Sequence, residues 1–465
     1  MLQYPSASSA DRLTALIEAE RDRYAAARPE SRRLFSAATH LFGSVPMTWM
    51  AKWSGGFPIY LDRAEGARVI DVDGHSYADF ALGDTGAMAG HSPAPVAEAI
   101  RSRAIERGGI TAMLPTEDGE WVGAELSRRF GLAKWSFTLS ATDANRWSIR
   151  LARLVTGRPK ILVFSYSYHG SVDETFVVLD DEGTPQSRPG NVGPAVDPTE
   201  TTRVAHFNDL ASVERELAHG DVAVIVTEPA LTNIGIVLPE PGFLDGLSRL
   251  AAEHGTLLLI DETHTFSAGP AGMTGTEQLA PDIVVIGKSI GGGIPCGAYG
   301  LSERVAARVS ELARGGSADL DDVGGIGGTL AGNALSTAAM RATLSQVLTA
   351  DAFHGMIALS TCYTTSVRST IERYGLPWSI AQLGARAEFR FTSPSPRTGN
   401  ESAAAANPAL DEYFHLYLAN RGVLLTPFHN MALMSPATSA ADVDLHCELF
   451  TEAVIQLIDG LASPS

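Results

Sequence analysis

The sequence predicts an α/β fold, with a large domain on a mainly parallel sheet and a smaller α+β domain. Three observations carry this. From about residue 135, short apolar runs alternate with amphipathic runs of helical length. The runs at 222–226 and 257–260 are apolar throughout rather than alternating, as strands covered on both faces are. Lys288 and Asp261 stand just past the ends of two such runs, at the edge where sheets of this kind collect ligands.

Taken in order, residues 9–24 read as an amphipathic helix with Leu13, Leu16, Ile17 and Tyr24 on one face and Glu20 interrupting it. Its expected use is packing against the body or a partner subunit. The run 69–75 reads as a strand with a tight turn at Asp73-Gly74. A glycine-rich loop over 83–93 precedes helices at 95–108 and 119–130. A strand at 135–139, a helix at 142–155 and a strand at 161–165 follow. A polar loop rich in Pro and Gly covers 181–202. Next come a helix at 210–219, a strand at 222–227, a helix at 243–254, and strands at 257–261 and 282–286. Residues 315–328 form an acidic, glycine-rich loop, and 333–348 and 353–374 read as helices. The C-terminal region mixes short strands at 385–391 and 422–426 with a closing helix at 441–461. Residues 401–406 are expected to be an exposed low-complexity loop.

The chain of 465 residues is 45% hydrophobic, enough for two or more packed domains. A net charge of −18 argues against nonspecific binding to nucleic acid or to an anionic membrane surface, and favours solubility. Cys296, Cys362 and Cys447 are far apart and odd in number, which fits a reducing, cytoplasmic setting. Residues 1–10 do not read as a signal peptide, and no apolar stretch reaches the length of a membrane span.

Four features converge on the carboxyl edge of the predicted sheet. Ser140, Ala141 and Thr142 lie between a strand and a helix, where free N–H groups attract an anion such as phosphate. A plain helix cap has the same pattern. Tyr166-Ser167-Tyr168-His169-Gly170 follows another strand, and its aromatic rings could stack on a flat cofactor or simply fill core. Asp261 is placed to keep a pyridine nitrogen protonated, with Thr263 beside it and Glu228 at the end of the neighbouring strand. Lys288, once its ammonium is deprotonated, can form an imine with an aldehyde and then move a proton between two carbons. A metal at Asp261-Glu262-Thr263-His264 is disfavoured, because no second cluster has ligand spacing. There is no GxSxG elbow and no GxxxxGK[ST] nucleotide loop.

Together these features resemble the class III aminotransferases of fold type I, and within them the glutamate-1-semialdehyde aminomutase-like branch. The resemblance runs from about residue 59 to the C-terminus. It is carried by Val72-Asp73-Gly74 with Tyr77, Asp79 and Phe80, then by Gly90-His91, Ser140 to Ala144 and Tyr168-His169-Gly170. Glu228-Pro229, Asp261-Glu262, Lys288 with its glycines, and Gly328-Thr329-Leu330-Ala331-Gly332-Asn333 complete it. The resemblance implies pyridoxal 5'-phosphate as cofactor and a homodimer with shared active sites. It gives Lys288 the covalent link, Asp261 the ring nitrogen, Tyr168 and Thr263 the two ring faces, and Ser140, Ala141 and Thr142 the phosphate. Thr329 would reach the neighbouring subunit's phosphate. It also implies three segments: 1–75, contributing to the small domain and dimer interface; 76–345, the large cofactor-binding domain; and 346–465, the C-terminal small domain.

Three departures bear on substrate. The family often has Gly-Phe-Arg after the aspartate motif, where this chain has Phe266-Ser267-Ala268. Relatives that bind amino acids often carry an arginine in the N-terminal loop, but residues 44–53 contain none. They offer Trp49 and Trp53 instead, as a bulky aromatic entrance or as packing. Arg386 and Arg390 flank Glu388 on one predicted strand face. Either could take over carboxylate binding, although pairing with Glu388 or other acids is the favoured reading. The expected activity is transamination between an amine or amino acid, including β-amino acids and bulky amines, and a keto acid, aldehyde or ketone. The alternatives are an aminomutase or racemase of the same fold, and a non-catalytic binding protein.

Overall fold

The long apolar runs pair into one seven-stranded sheet, and the polar-faced runs between them form helices. In the computed structural model, residues 7–193, 196–320 and 324–462 are described. The loops expected at 181–202 and 315–328 contain residues 194–195 and 321–323, which lie outside the described residues, as do residues 1–6 of the N-terminal segment. The chain divides into two compact units. One comprises residues 1–92, 355–395 and 405–465; the other comprises 93–354 and 396–404.

In the first unit, β1 (Leu61–Glu65), β2 (Arg68–Asp71) and β3 (Ser76–Asp79) form a meander. Asp73-Gly74 turns the chain between the last two strands, with Gly74 at φ 89°, where a side chain would be strained. β3 belongs to this unit because it also pairs in parallel with a strand from the far end of the chain, described below. The helices Ala7–Ala27, Pro408–Ala419 and Ala440–Ala462 pack on one another. Glu20, the flaw in the apolar stripe of the first helix, is buried and paired with Arg421 at 2.9 Å, and Asn420 donates to it.

The second unit holds β4 (Lys134–Thr138), β5 (Lys160–Phe164), the short hairpin β6 (Val177–Leu179) and β7 (Pro185–Ser187), and β8 (Thr202–Ala205). It continues with β9 (Val222–Thr227), β10 (Leu257–Asp261), β11 (Ile283–Gly287) and β12 (Gly297–Leu301). The sheet order is β4-β12-β11-β10-β9-β5-β8. β8, β5, β9, β10 and β11 run parallel, whereas β12 is antiparallel to both β11 and β4. β9, β10 and β11 are buried at every position, as strands covered on both faces must be. Ile260 stands opposite Thr227 on one side and Val284 on the other. The strand ends carrying Glu228, Asp261 and Lys288 are therefore side by side.

The chain returns to the first unit with β13 (Ser379–Leu383), β14 (Arg386–Arg390), β15 (Val423–Leu424) and β16 (Met431–Leu433). β14 lies between β13 and β16, and β15 is the partner of β3. One expectation is corrected here. Residues 401–406 are not simply an exposed loop, because Gly399–Ala404 is a short helix. Its buried Ser402 donates to the Ile234 carbonyl at 2.5 Å, and Asn400 donates to the Leu179 carbonyl at 2.9 Å. Those two bonds tie the alanine-rich run to the second unit.

Candidate active site

The end of β11 is built for close approach. A Cβ on Gly287 would stand 3.0 Å from the Ala141 nitrogen and 3.0 Å from its Cβ. Only glycine lets this strand end rest against the start of the helix Ala141–Thr156. The next residue, Lys288, has φ 51°, a left-handed conformation that costs an L-residue with a Cβ about 1–2 kcal/mol. It opens a short 3₁₀ turn, Lys288–Gly291, closed by left-handed Gly292. The half-buried Lys288 places its Nζ 2.8 Å from Nε2 of His264, which sits in the turn after β10.

The start of the helix Ala141–Thr156 is a candidate anion cradle. Ser140 caps it, its Oγ accepting from the Asp143 N–H at 3.2 Å, and its carbonyl accepts from the Ala144 N–H. The N–H groups of Ala141 and Thr142 precede the first helical hydrogen bond and face outward. Thr142 Oγ1 accepts from the Ser171 N–H at 3.1 Å. Gly170, with φ 75°, packs so closely on Thr142 that a Cβ there would meet its hydroxyl at 2.2 Å.

Asp261 ends β10 and is held from several sides. His169 Nδ1 is 3.1 Å from Oδ2, Asn145 Nδ2 donates to the same oxygen at 2.8 Å, and the Thr263 N–H donates to Oδ1 at 3.1 Å. Burial pushes its carboxyl upward, but the contacts with His169, Thr263 and Asn145 prevail and hold it below the ordinary value. Glu228 behaves oppositely. Burial, aided by the nearby negative Asp261, pushes it up to about 7 against the pull of His169 and Thr232. Glu262 points elsewhere: buried, it takes hydrogen bonds from Thr265, Met273 and Thr274 and braces the following turn.

The other expected residues are placed as follows. Tyr168 is half-buried, its ring edge-on to Phe176 at 6.2 Å. Thr329 is exposed in the glycine-rich loop. In the first unit, Trp49 is 39% exposed and meets Phe428 edge-on at 6.2 Å. Lys52 Nζ lies over both rings, at 5.6 and 5.3 Å. Trp53 packs against the Tyr77, Ala419 and Leu424 cluster. Arg386 is fully buried and donates to Thr85 Oγ1 at 2.6 Å. Its guanidinium lies in the interior of its unit. Sequence reasoning missed Asn145 and the link from His169 to Asp261, and dismissed His264 along with a metal site. Among the described residues, no group of three or more His, Cys, Asp or Glu could hold a metal.

The family profile of the class III aminotransferases matches residues 49–454. The chain belongs to this family. Class III aminotransferases are pyridoxal-phosphate enzymes of fold type I, and this chain shares both fold and cofactor. A glutamate-1-semialdehyde-aminomutase from Pseudomonas aeruginosa, solved in complex with PMP, is 47% identical with a TM-score of 0.93. The match covers 96% of this chain and 99% of that one. A glutamate-1-semialdehyde 2,1-aminomutase from Chloroflexus aggregans is 32% identical over 87% of this chain and 92% of its own. A β-phenylalanine aminotransferase from Variovorax paradoxus is 26% identical over 96% of this chain and 98% of its own, with a TM-score of 0.83.

The residues on the edge of the large sheet fit the class III cofactor. Thr263 Oγ1, His169 Nε2, Glu228 Oε1 and Asn145 Oδ1 are buried without a protein partner. Buried polar atoms normally find partners, so a polar group is expected among them. A helix start for phosphate, an ionised Asp261 for a ring nitrogen and an amine at Lys288 complete a matching set.

Proposed function

We propose that this class III enzyme is a transaminase. It would move an amino group from a primary amine or amino acid, including bulky or β-amino donors, to a keto acid, aldehyde or ketone. The observation that carries the reading is Lys288, an amine held in a left-handed turn directly after Gly287. Gly287 rests on a helix start, and its strand lies next to the one that ends in the ionised Asp261. Pyridoxal phosphate supplies an aldehyde that exchanges amines and a ring that accepts electrons.

The protein's own groups divide the remaining work. Lys288 would bond the cofactor at rest and would carry a proton between two carbons once released. Asp261 keeps a positive charge on the ring nitrogen, since opposite charges stabilise each other strongly in a dry site. Ser140, Ala141 and Thr142 would hold the phosphate, Tyr168 and Thr263 would pack on the ring, and Glu228 could touch the same site. Thr329 reaches the phosphate of a second subunit in a cytoplasmic homodimer. The second unit would supply the cofactor groups, and residues 1–92, 355–395 and 405–465 would make up the small domain.

The test is a half-reaction. Enzyme is mixed with a panel of amines and β-amino acids, with no acceptor. Release of a carbonyl product and accumulation of the amine form of the cofactor are expected. A donor that returns only as its isomer, with no carbonyl released, would overturn the reading. That outcome would instead support an intramolecular aminomutase, the second reading, which is favoured by the 47% identity to the Pseudomonas aeruginosa protein. Borohydride reduction and peptide mapping should tag Lys288; a tag elsewhere removes its assigned role.

A further inference from the structure

We infer that His264 is a positioning residue that docks the Lys288 amine whenever that amine is not bonded to the cofactor. The inference deepens the proposed role of Lys288 and rests on it. The 2.8 Å separation of Lys288 Nζ and His264 Nε2 is a charge-assisted hydrogen-bond distance. As an ammonium Lys288 donates to a neutral Nε2, with the imidazole proton on Nδ1; as a free amine it can instead accept from an Nε2–H, so a neutral His264 can hold either form. A protonated imidazole would place two positive charges in contact.

Both partners are set by backbone. His264 precedes the 3₁₀ turn Thr265–Ala268, and its carbonyl accepts from the Ser267 hydroxyl at 3.1 Å and from the Ser267 N–H at 3.4 Å. Lys288 opens a turn of its own on the neighbouring strand. Asp261, three residues before His264, is kept ionised by His169 and its other donors, so the two histidines serve different groups. A lysine stem has four rotatable carbons and considerable rotamer freedom. Freed by an incoming donor, its amine would wander unless something held it. His264 holds it near the reacting carbons, where it can pass its proton and return.

Two substitutions separate this from a merely structural role. His264→Gln retains an acceptor near Nε2, whereas His264→Met retains bulk and loses that acceptor. Cofactor-free protein is mixed with pyridoxal phosphate, and the rate at which the bound-cofactor absorbance band appears is followed. The half-reaction of loaded enzyme with saturating donor is then timed. His264→Met should slow both by about 10- to 100-fold, the usual cost of misplacing a reacting group. Its KM for the donor should stay within about twofold, and His264→Gln should recover most of both rates. Wild-type rates in the Met variant would overturn the inference. So would equal damage in Met and Gln variants accompanied by a lowered thermal midpoint. If wild-type protein develops no band, the role of Lys288 fails first and takes this inference with it.

Discussion

Asp261 and Glu228 stand at the ends of neighbouring strands, both buried, yet their carboxyl groups are displaced in opposite directions. His169 and Asn145 make the difference, because both bond to Asp261 while Glu228 receives only Thr232. Near neutral pH the site therefore holds one firm anion and one carboxyl close to its midpoint.

The stability of the cofactor-free protein should record the Glu228 displacement. Its folded value of about 7 lies above the ordinary 4.5. The folded state then binds more protons than the unfolded chain between those values, and stability falls as pH rises across that window. The loss is on the order of 3 kcal/mol for one such group. Glu228→Gln cannot titrate, so its thermal midpoint should exceed that of wild type at pH 8 and match it more closely near pH 4.5. Parallel curves for the two proteins would refute the assignment.

Asp261→Asn removes the anion while leaving the side chain nearly the same shape. If Asp261 supports charge on the ring nitrogen, kcat should drop about 10²- to 10³-fold, as when a preorganised electrostatic partner is lost. Cofactor content should remain measurable, and the absorbance band should move. Turnover within about twofold of wild type would exclude the role.

Gly287 makes a steric prediction. Alanine there must push back Ala141 or shift the turn holding Lys288. The cost should be about 1–3 kcal/mol in stability, with weaker cofactor binding. Gly123 is a control on the helix Glu117–Phe130, where a Cβ meets nothing within 4 Å. Gly123→Ala should stabilise by up to about 1 kcal/mol from helix propensity alone. Thermal midpoints and cofactor titrations of the two variants would give the comparison.

Thr263 links stability to loading. Its hydroxyl is buried beside the Asp261 carboxylate, which it helps to hold low, without meeting a full hydrogen-bond geometry, so Thr263→Val should stabilise the cofactor-free form by no more than about 1 kcal/mol. If that hydroxyl meets the cofactor, affinity should fall about tenfold, which is about 1.4 kcal/mol. The sign of the stability change would then reverse on loading, as thermal midpoints with and without pyridoxal phosphate can reveal.

Much of the large sheet is legible in the sequence, because β9, β10 and β11 are buried on both faces and must be apolar throughout. β12 is not legible. Its run Gly-Ala-Tyr-Gly-Leu lacks β-branched residues, and Gly300 is there because a Cβ would stand 2.6 Å from the Trp135 ring. β7 is hidden within a stretch of turn-forming residues, and β6 and β8 are apolar-containing runs of only three and four residues at the two ends of that stretch. Lys288 and Asp261 stand out because each follows an apolar run. Asn145 and His264 do not, since a helix residue and a turn residue acquire their partners only when separate strands meet. Glu20 looks like a flaw in a helix face until Arg421 arrives from the other end of the chain.

The left-handed backbone at residue 288 sets usefulness against durability. Glycine or asparagine would sit there more comfortably than lysine. A descendant no longer selected for turnover could exchange the lysine and gain robustness, so decay at this position would leave a sturdier protein that no longer does its job.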